Sequence, residues 1–324
     1  MAPERGRRSR TPHIAAEEMP GVFICATRQH VGKTSSSLGL VYGLQKIFNG
    51  NVGFIKPVGQ QHVFLPAYEG HDGGGVNERE TVSASAGGSP SGAATHTPRD
   101  MHADDATAPL IPVDKDCPLF KEFLDCRGSY ADMSPIIVPS GFTKDFLSLD
   151  RHDREERREE NMDAILSAYT RIEDASDFVV AEGTGHSAVG SVVGLSNAAV
   201  AARLDIPMIM VVNGGIGSTL DEFHLNRALI ERDGARLCGV LVNKVAPKKL
   251  EQVTDYLELA LGREGVPLLA VIPDKEFFES PTMADFEQLF KTELLRPSGG
   301  GSGDSSRAVA STMSAFQQQD TKSN

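Results

Sequence analysis

The chain has 324 residues, 40% of them hydrophobic, which is enough for one large core or two small ones. Its 44 acidic residues outnumber its 32 basic ones, and a net charge of −12 argues against a general binder of DNA, RNA or anionic membranes. No apolar run approaches the roughly 18 residues that a membrane-spanning helix needs, so none is expected.

The chain opens on Arg5, Arg7, Arg8 and Arg10 with no apolar stretch behind them, which does not make a secretory signal. The expected location is the cytoplasm. Organelle targeting by this Arg-rich start stays open, although Glu4, Glu17 and Glu18 interrupt it. Three stretches are too poor in apolar residues to offset the entropy of ordering: residues 1–20, residues 66–110 with Gly73-Gly74-Gly75, and the Gly/Ser/Gln-rich residues 297–324. The first and last read as disordered ends. The middle one reads as an insertion within a single domain spanning 21–296. The four cysteines carry no CxxC spacing and read as free thiols in a reducing compartment.

Between these stretches, strand-length apolar runs alternate with helical patterns. Candidate strands are Val22–Ala26, Val52–Ile55, Ile136–Val138, Phe178–Ala181, Met208–Val212, Leu237–Val242 and Leu268–Ile272. Their continuous Val- and Ile-rich character suits strands covered on both faces. Helices are expected over Lys33–Phe48, Arg154–Ile172 and Leu220–Arg232, the last with Ser218 and Thr219 as N-caps. The alternation predicts an α/β three-layer sandwich: a mostly parallel sheet of about seven strands with helices on both faces. Ligands of such sheets bind at the carboxyl ends of the strands.

The first strand ends in Ala26-Thr27-Arg28-Gln29-His30-Val31-Gly32-Lys33-Thr34. A glycine lets backbone approach a phosphate, and the N–H groups of a loop opening a helix then face the anion. Gln29, His30, Val31, Gly32, Lys33, Thr34 and Ser35 are the candidate nucleotide-binding run, with Lys33 on the phosphates and the Thr34 hydroxyl on Mg2+. The strict P-loop pattern wants Gly where Thr27 stands. The second strand ends in Lys56, a possible second cation for a phosphoryl group in flight. The Phe178–Ala181 run delivers Glu182, a candidate magnesium ligand, followed by Gly183-Thr184-Gly185-His186. Asn213-Gly214-Gly215-Ile216-Gly217-Ser218 could form another anion turn, and Asn243 could read a purine edge. His30 and His186 fall in the two site loops and read best as solvated.

These motifs, in this order, resemble the dethiobiotin synthetase-like P-loop family, which includes the cobyrinate amidases and the nucleotide-binding N-terminal segment of long phosphate acetyltransferases. The resemblance runs over about residues 21–296 without the insertion. The carrying residues are the loop ending Val31-Gly32-Lys33-Thr34, Lys56-Pro57-Val58, Glu182-Gly183-Thr184-Gly185, Cys238 to Lys244, and Val271-Ile272-Pro273-Asp274. The phrases around residues 26, 182 and 213 look most like an ATPase branch of that family. It implies a P-loop fold and ATP with Mg2+. Lys33 and Lys56 would act on the phosphoryl group, Thr34 and Glu182 on the metal, and Asn243 on adenine. A further acidic metal ligand falls on Asp116 or Asp114. A homodimer is implied too.

The acceptor side departs from dethiobiotin synthetases. They carry Thr-Asp-Thr-Glu where Thr27-Arg28-Gln29-His30 stands, a small residue and Ser or Thr at Gly59-Gln60, and Glu-Gly-Ala-Gly-Gly at Glu182 to His186. Diaminopelargonate is therefore not the expected acceptor. Neither a glutaminase nor an acetyltransferase segment is expected after residue 296. Two readings remain: an ATP hydrolase or ATP-dependent carbon–nitrogen ligase phosphorylating a small carboxylate or carbamate, or a nucleotide-dependent regulatory switch.

Overall fold

The computed structural model describes residues 21–67 and 109–275. The expectations for 1–20, 297–324 and the body of 66–110 lie outside the described residues. The first described strand, β1 (Gly21–Ala26), is wholly buried and leads through a loop into helix α1 (Lys33–Ile47). Next come β2 (Val52–Ile55), β3 (Val58–Gly59) and β4 (His62–Pro66), then β5 (Leu110–Asp114), a π-helical turn at Leu119–Phe123, α2 (Tyr130–Met133) and β6 (Ile136–Ile137). Helices α3 (Phe142–Ser148) and α4 (Arg151–Asp174) precede β7 (Phe178–His186). The remainder alternates α5 (Asn197–Arg203), β8 (Met208–Asn213), α6 (Gly217–Arg232), β9 (Leu237–Val245), α7 (Leu250–Arg263) and β10 (Leu268–Pro273).

Six strands form the main sheet in the order β10-β9-β8-β1-β7-β2, every pair parallel. Helices flank it, so each strand must be apolar on both faces, and the core runs through Phe23, Phe54, Ile165, Ile172, Met208 and Met210. Each such side chain contributes about 1.5–3 kcal/mol by leaving water. The chain moves from β1 outward to β2, returns to β7, then crosses β1 to β8. The switch point therefore lies at the carboxyl ends of β1, β7 and β8.

Three sequence expectations are corrected. Ile136–Val138 does not join the main sheet: Ile136 and Ile137 pair with Val58 and Gly59 in a separate two-stranded sheet, so six of the seven candidate strands build the central layer. Ser218 and Thr219 do not cap α6. They lie inside its first turn, where the Thr219 hydroxyl donates to the Asn213 carbonyl at 2.9 Å. Helix α4 starts at Arg151 rather than Arg154, because the Asp150 carboxylate accepts from the Asp153 N–H at 2.9 Å and sets the start.

Strands β4 and β5 were not anticipated. They pair antiparallel from His62↔Asp114 to Pro66↔Leu110, and the Ala67 N–H donates to the Pro109 carbonyl at 2.9 Å. The chain thus leaves and re-enters the described structure at paired ends. It also brings Asp114 back beside the end of β2.

Candidate functional site

The loop after β1 takes a conformation few residues tolerate. His30 has φ 62° and Gly32 φ 83°, both left-handed. A side chain at Gly32 would also run into the Asn243 amide, so glycine is required twice over. The Gly32 carbonyl accepts from the Ser36 N–H at 3.0 Å and the Ser36 hydroxyl at 2.9 Å. From β9, Asn243 Nδ2 donates to the Val31 carbonyl at 2.8 Å. With its centre held from both sides, the loop aims Lys33 and Thr34 along the start of α1.

Glu182 is fully buried on β7, and three groups converge on its Oε1: Lys33 Nζ at 3.1 Å, the Thr34 hydroxyl at 3.0 Å and Lys56 Nζ at 3.3 Å. Lys56 sits on the other side of β7, at the end of β2. It also lies 3.3 Å from Asp114 Oδ1 and hydrogen-bonds Asp116 Oδ2. Asp114 Oδ1 accepts the Asp116 N–H at 3.0 Å, and the Asp114 N–H donates to the Ser134 hydroxyl at 2.9 Å. Half-exposed Lys115 reaches Asp116 Oδ1 at 2.9 Å. Two lysines therefore face three carboxyl groups, all of them buried except Lys33, whose side chain is 12% exposed.

The proton affinities follow from that packing. Burial alone would raise the Glu182 pKa, but Lys33 and Lys56 outweigh it, and the carboxyl sits below its ordinary value. Asp116 behaves the same way: burial opposes, Lys56 prevails, and the pKa falls. At Asp114 burial wins over Lys56, and the pKa rises. Burial would depress Lys56, yet Glu182, Asp114 and Asp116 together hold it above the ordinary lysine value. The cysteines take no part in this chemistry. All four are free, and burial pushes the Cys25 and Cys126 thiols up to about 12.

The structure brings Lys33, Thr34, Lys56, Glu182, Asp114 and Asp116 into one cluster. Gln29, His30 and Ser35 lie on its exposed rim, while Val31 is buried behind the loop. The Asn243 donor is committed to the loop carbonyl rather than turned to open space. His186 uses Nδ1 to accept the Ala188 N–H at 3.2 Å. Around Gly214 a side chain would meet the Lys244 backbone, so that glycine turn serves close packing of β8's end on β9's.

Sequence reasoning missed two asparagines. Asn197 donates to the carbonyls of Thr184 at 2.9 Å and His186 at 2.8 Å, shaping the loop after Glu182. Asn226 lies on the buried stripe of α6 with Phe223 and Ile230. The available signal was a polar residue standing at an apolar position of a helical repeat.

A family model described as an AAA domain matches residues 20–86 and 111–282. Among curated relatives, the ATP-dependent dethiobiotin synthetase BioD of Xanthomonas axonopodis pv. citri is 22% identical over 83% of this chain and 98% of its own length. A phosphate acetyltransferase of Nitratidesulfovibrio vulgaris is 26% identical over 41% of this chain and 20% of its own length. A cobyric acid synthase of Sorangium cellulosum is 27% identical over 89% of this chain and 49% of its own length. The chain thus spans about a fifth and about half of the latter two, and nearly the whole of that synthetase.

Proposed function

The chain belongs to the family of P-loop AAA domains that contains dethiobiotin synthetase, and from that premise we propose that it binds MgATP and transfers the γ-phosphoryl group to a small carboxylate or carbamate. The observation that carries this reading is the second lysine. Nucleotide binding alone needs Lys33; Lys56, 3.3 Å from the Glu182 oxygen that Lys33 also touches, adds positive charge on the far side of the same point.

The residues fit a magnesium ion. Burial raises the Glu182 pKa, but Lys33, Lys56 and the Ser37 hydroxyl hold it below its ordinary value, and a hard cation takes such charged oxygens. Thr34, Glu182 and Asp116 would hold the ion, which when bound neutralises phosphate charge. Lys33, freed from Glu182, would reach the β- and γ-phosphates. The loop N–H groups and the start of α1 would orient them. Lys56 would then face the transferred group as the acceptor oxygen forms its bond to phosphorus and the bond to the ADP oxygen breaks. An amine would displace phosphate from the mixed anhydride. The different residues at Thr27 to His30, Gly59-Gln60 and His186 support an acceptor other than that of dethiobiotin synthetase.

The same reading has the chain acting as a homodimer in the cytoplasm. Four free cysteines suit a reducing compartment, and among the described residues no helix is long and apolar enough to cross a membrane. The test is ADP release from MgATP with mixed small carboxylates, amines and bicarbonate, comparing wild type with Lys56→Ala. Turnover lost in Lys56→Ala, with MgATP still bound, supports phosphoryl transfer. Binding without turnover under every mixture favours the regulatory switch instead.

A further inference from the structure

An asparagine on the buried face of a helix is costly unless its amide is filled. Asn226 is 9% exposed, and its amide is filled by two different site loops. Its Nδ2 donates to the Thr27 carbonyl at 3.2 Å and to the Glu222 carbonyl of its own helix at 2.9 Å. Its Oδ1 accepts the Ser187 N–H at 3.2 Å and also the Ser187 hydroxyl. Thr27 is the first residue after β1, and Ser187 the first after β7. One turn earlier, Glu222 Oε2 accepts the Thr27 hydroxyl at 2.8 Å, and Oε1 lies 3.7 Å from Arg28 Nε.

The link matters because the ladder between the two strands breaks just there. Ile24 pairs with Glu182, but the next pairing is Ala26 with His186, so Gly183-Thr184-Gly185 bulge out of register. Lys33 and Thr34 hang from β1, and Glu182 hangs from β7. Beyond the bulge a single backbone pairing, Ala26 with His186, joins the two strands before Thr27 and Ser187 leave them.

We propose that Asn226, supported by Glu222, is a positioning residue: it clips the entry of the phosphate loop to the end of β7 and so holds Lys33 and Thr34 at bonding distance from Glu182. Its hydrogen bonds go to Thr27, Ser187 and its own helix, none to the charged cluster. The inference rests on the nucleotide-site reading for its effect on ligand, but the clip itself can be tested without nucleotide.

The experiment is hydrogen exchange on the full chain, following peptides covering 27–35 and 183–190, with MgATP calorimetry and melting curves alongside. In Asn226→Ala both peptides should exchange about tenfold faster while β8 and α4 are unchanged, and MgATP affinity should fall about tenfold, the value of one or two lost buried hydrogen bonds. Asn226→Asp keeps an acceptor for Ser187 but loses the donor to Thr27, so it should loosen the phosphate loop alone; it carries the test should Asn226→Ala not fold. Glu222→Gln, which keeps an acceptor for Thr27, should bind like wild type, and Glu222→Ala more weakly. Unchanged exchange in either loop of Asn226→Ala overturns the clip. A lower melting temperature with unchanged MgATP affinity reduces Asn226 to packing and overturns the positioning role. Loosened loops in a protein whose wild type binds no MgATP would instead sink the nucleotide reading and leave the clip standing.

Discussion

The two halves of the central sheet bury different chemistry. On β8 and β9 the buried side chains are apolar, as at Met208, Met210, Val212, Val240 and Val242, with Asn243 the polar exception at the strand end. On the β1–β7–β2 side, the strands enclose Lys56 and Glu182, and the end of β5 and the turn after it add Asp114 and Asp116. Among the described residues these four are the only buried charged ones, and all belong to one cluster. A sheet covered by helices gains stability from apolar burial and loses it by burying charge, so charge concentrated at one set of strand ends marks where stability has been given up for chemistry.

The sharpest way to break this contrast is to remove one charge from the cluster. Lys56→Ala leaves three carboxyl groups facing one another with Lys33 as the remaining inner cation. It should lose about 3–5 kcal/mol in urea unfolding. A comparable truncation in the other half, Val242→Ala, removes only apolar contact and should cost about 1–3 kcal/mol. If the two variants lose the same amount, the cluster is no more interdependent than ordinary packing.

Gly32→Ala tests the loop rather than the cluster. The left-handed φ of 83° and the clash with Asn243 should cost about 1–3 kcal/mol and abolish nucleotide binding, measured by unfolding and by calorimetry.

The pH dependence sharpens the comparison further. Glu182 and Asp116 have folded-state pKa values below their ordinary ones. Their contribution is present above the unfolded value and is lost as pH falls through the folded value. Asp114, with a raised pKa, works in the opposite sense and offsets part of that loss. The wild type should therefore lose stability below about pH 4, and Glu182→Gln should show a shallower decline in its urea midpoint. The smallest effect belongs to the surface. Arg203 and Asp163 pair at 3.3 Å with side chains 49% and 65% exposed, and Asp163→Ala should change stability by less than about 0.5 kcal/mol.

Much of this layout was legible in the sequence because buried parallel strands read as unbroken Val- and Ile-rich runs, and because Gly32-Lys33-Thr34 sits between one such run and a helix. Lys56 and Glu182 were legible for the same reason: each is the first charged residue after an unbroken apolar run. What the sequence hid depends on pairing at a distance. Ile136 and Ile137 look like any core strand, yet their partners are Val58 and Gly59, far upstream. The β4–β5 pairing joins residues on either side of a long polar stretch, and it brings Asp114 and Asp116 to Lys56 Nζ. Asn226 was legible only as a polar residue at an apolar position of α6, because its partners lie in two loops that the chain brings together only in three dimensions.

The central claim is that the cluster at the ends of β1, β2 and β7 is a magnesium–nucleotide site. Calorimetry on the full chain, titrating ATP and GTP with and without magnesium against wild type and Lys33→Ala, tests it most directly. The account predicts magnesium-dependent ATP binding that weakens by at least about 100-fold in Lys33→Ala, the loss of a charge-assisted contact to phosphate. Folded wild-type protein that binds neither nucleotide, or a Lys33→Ala variant that binds as well as wild type, would contradict it.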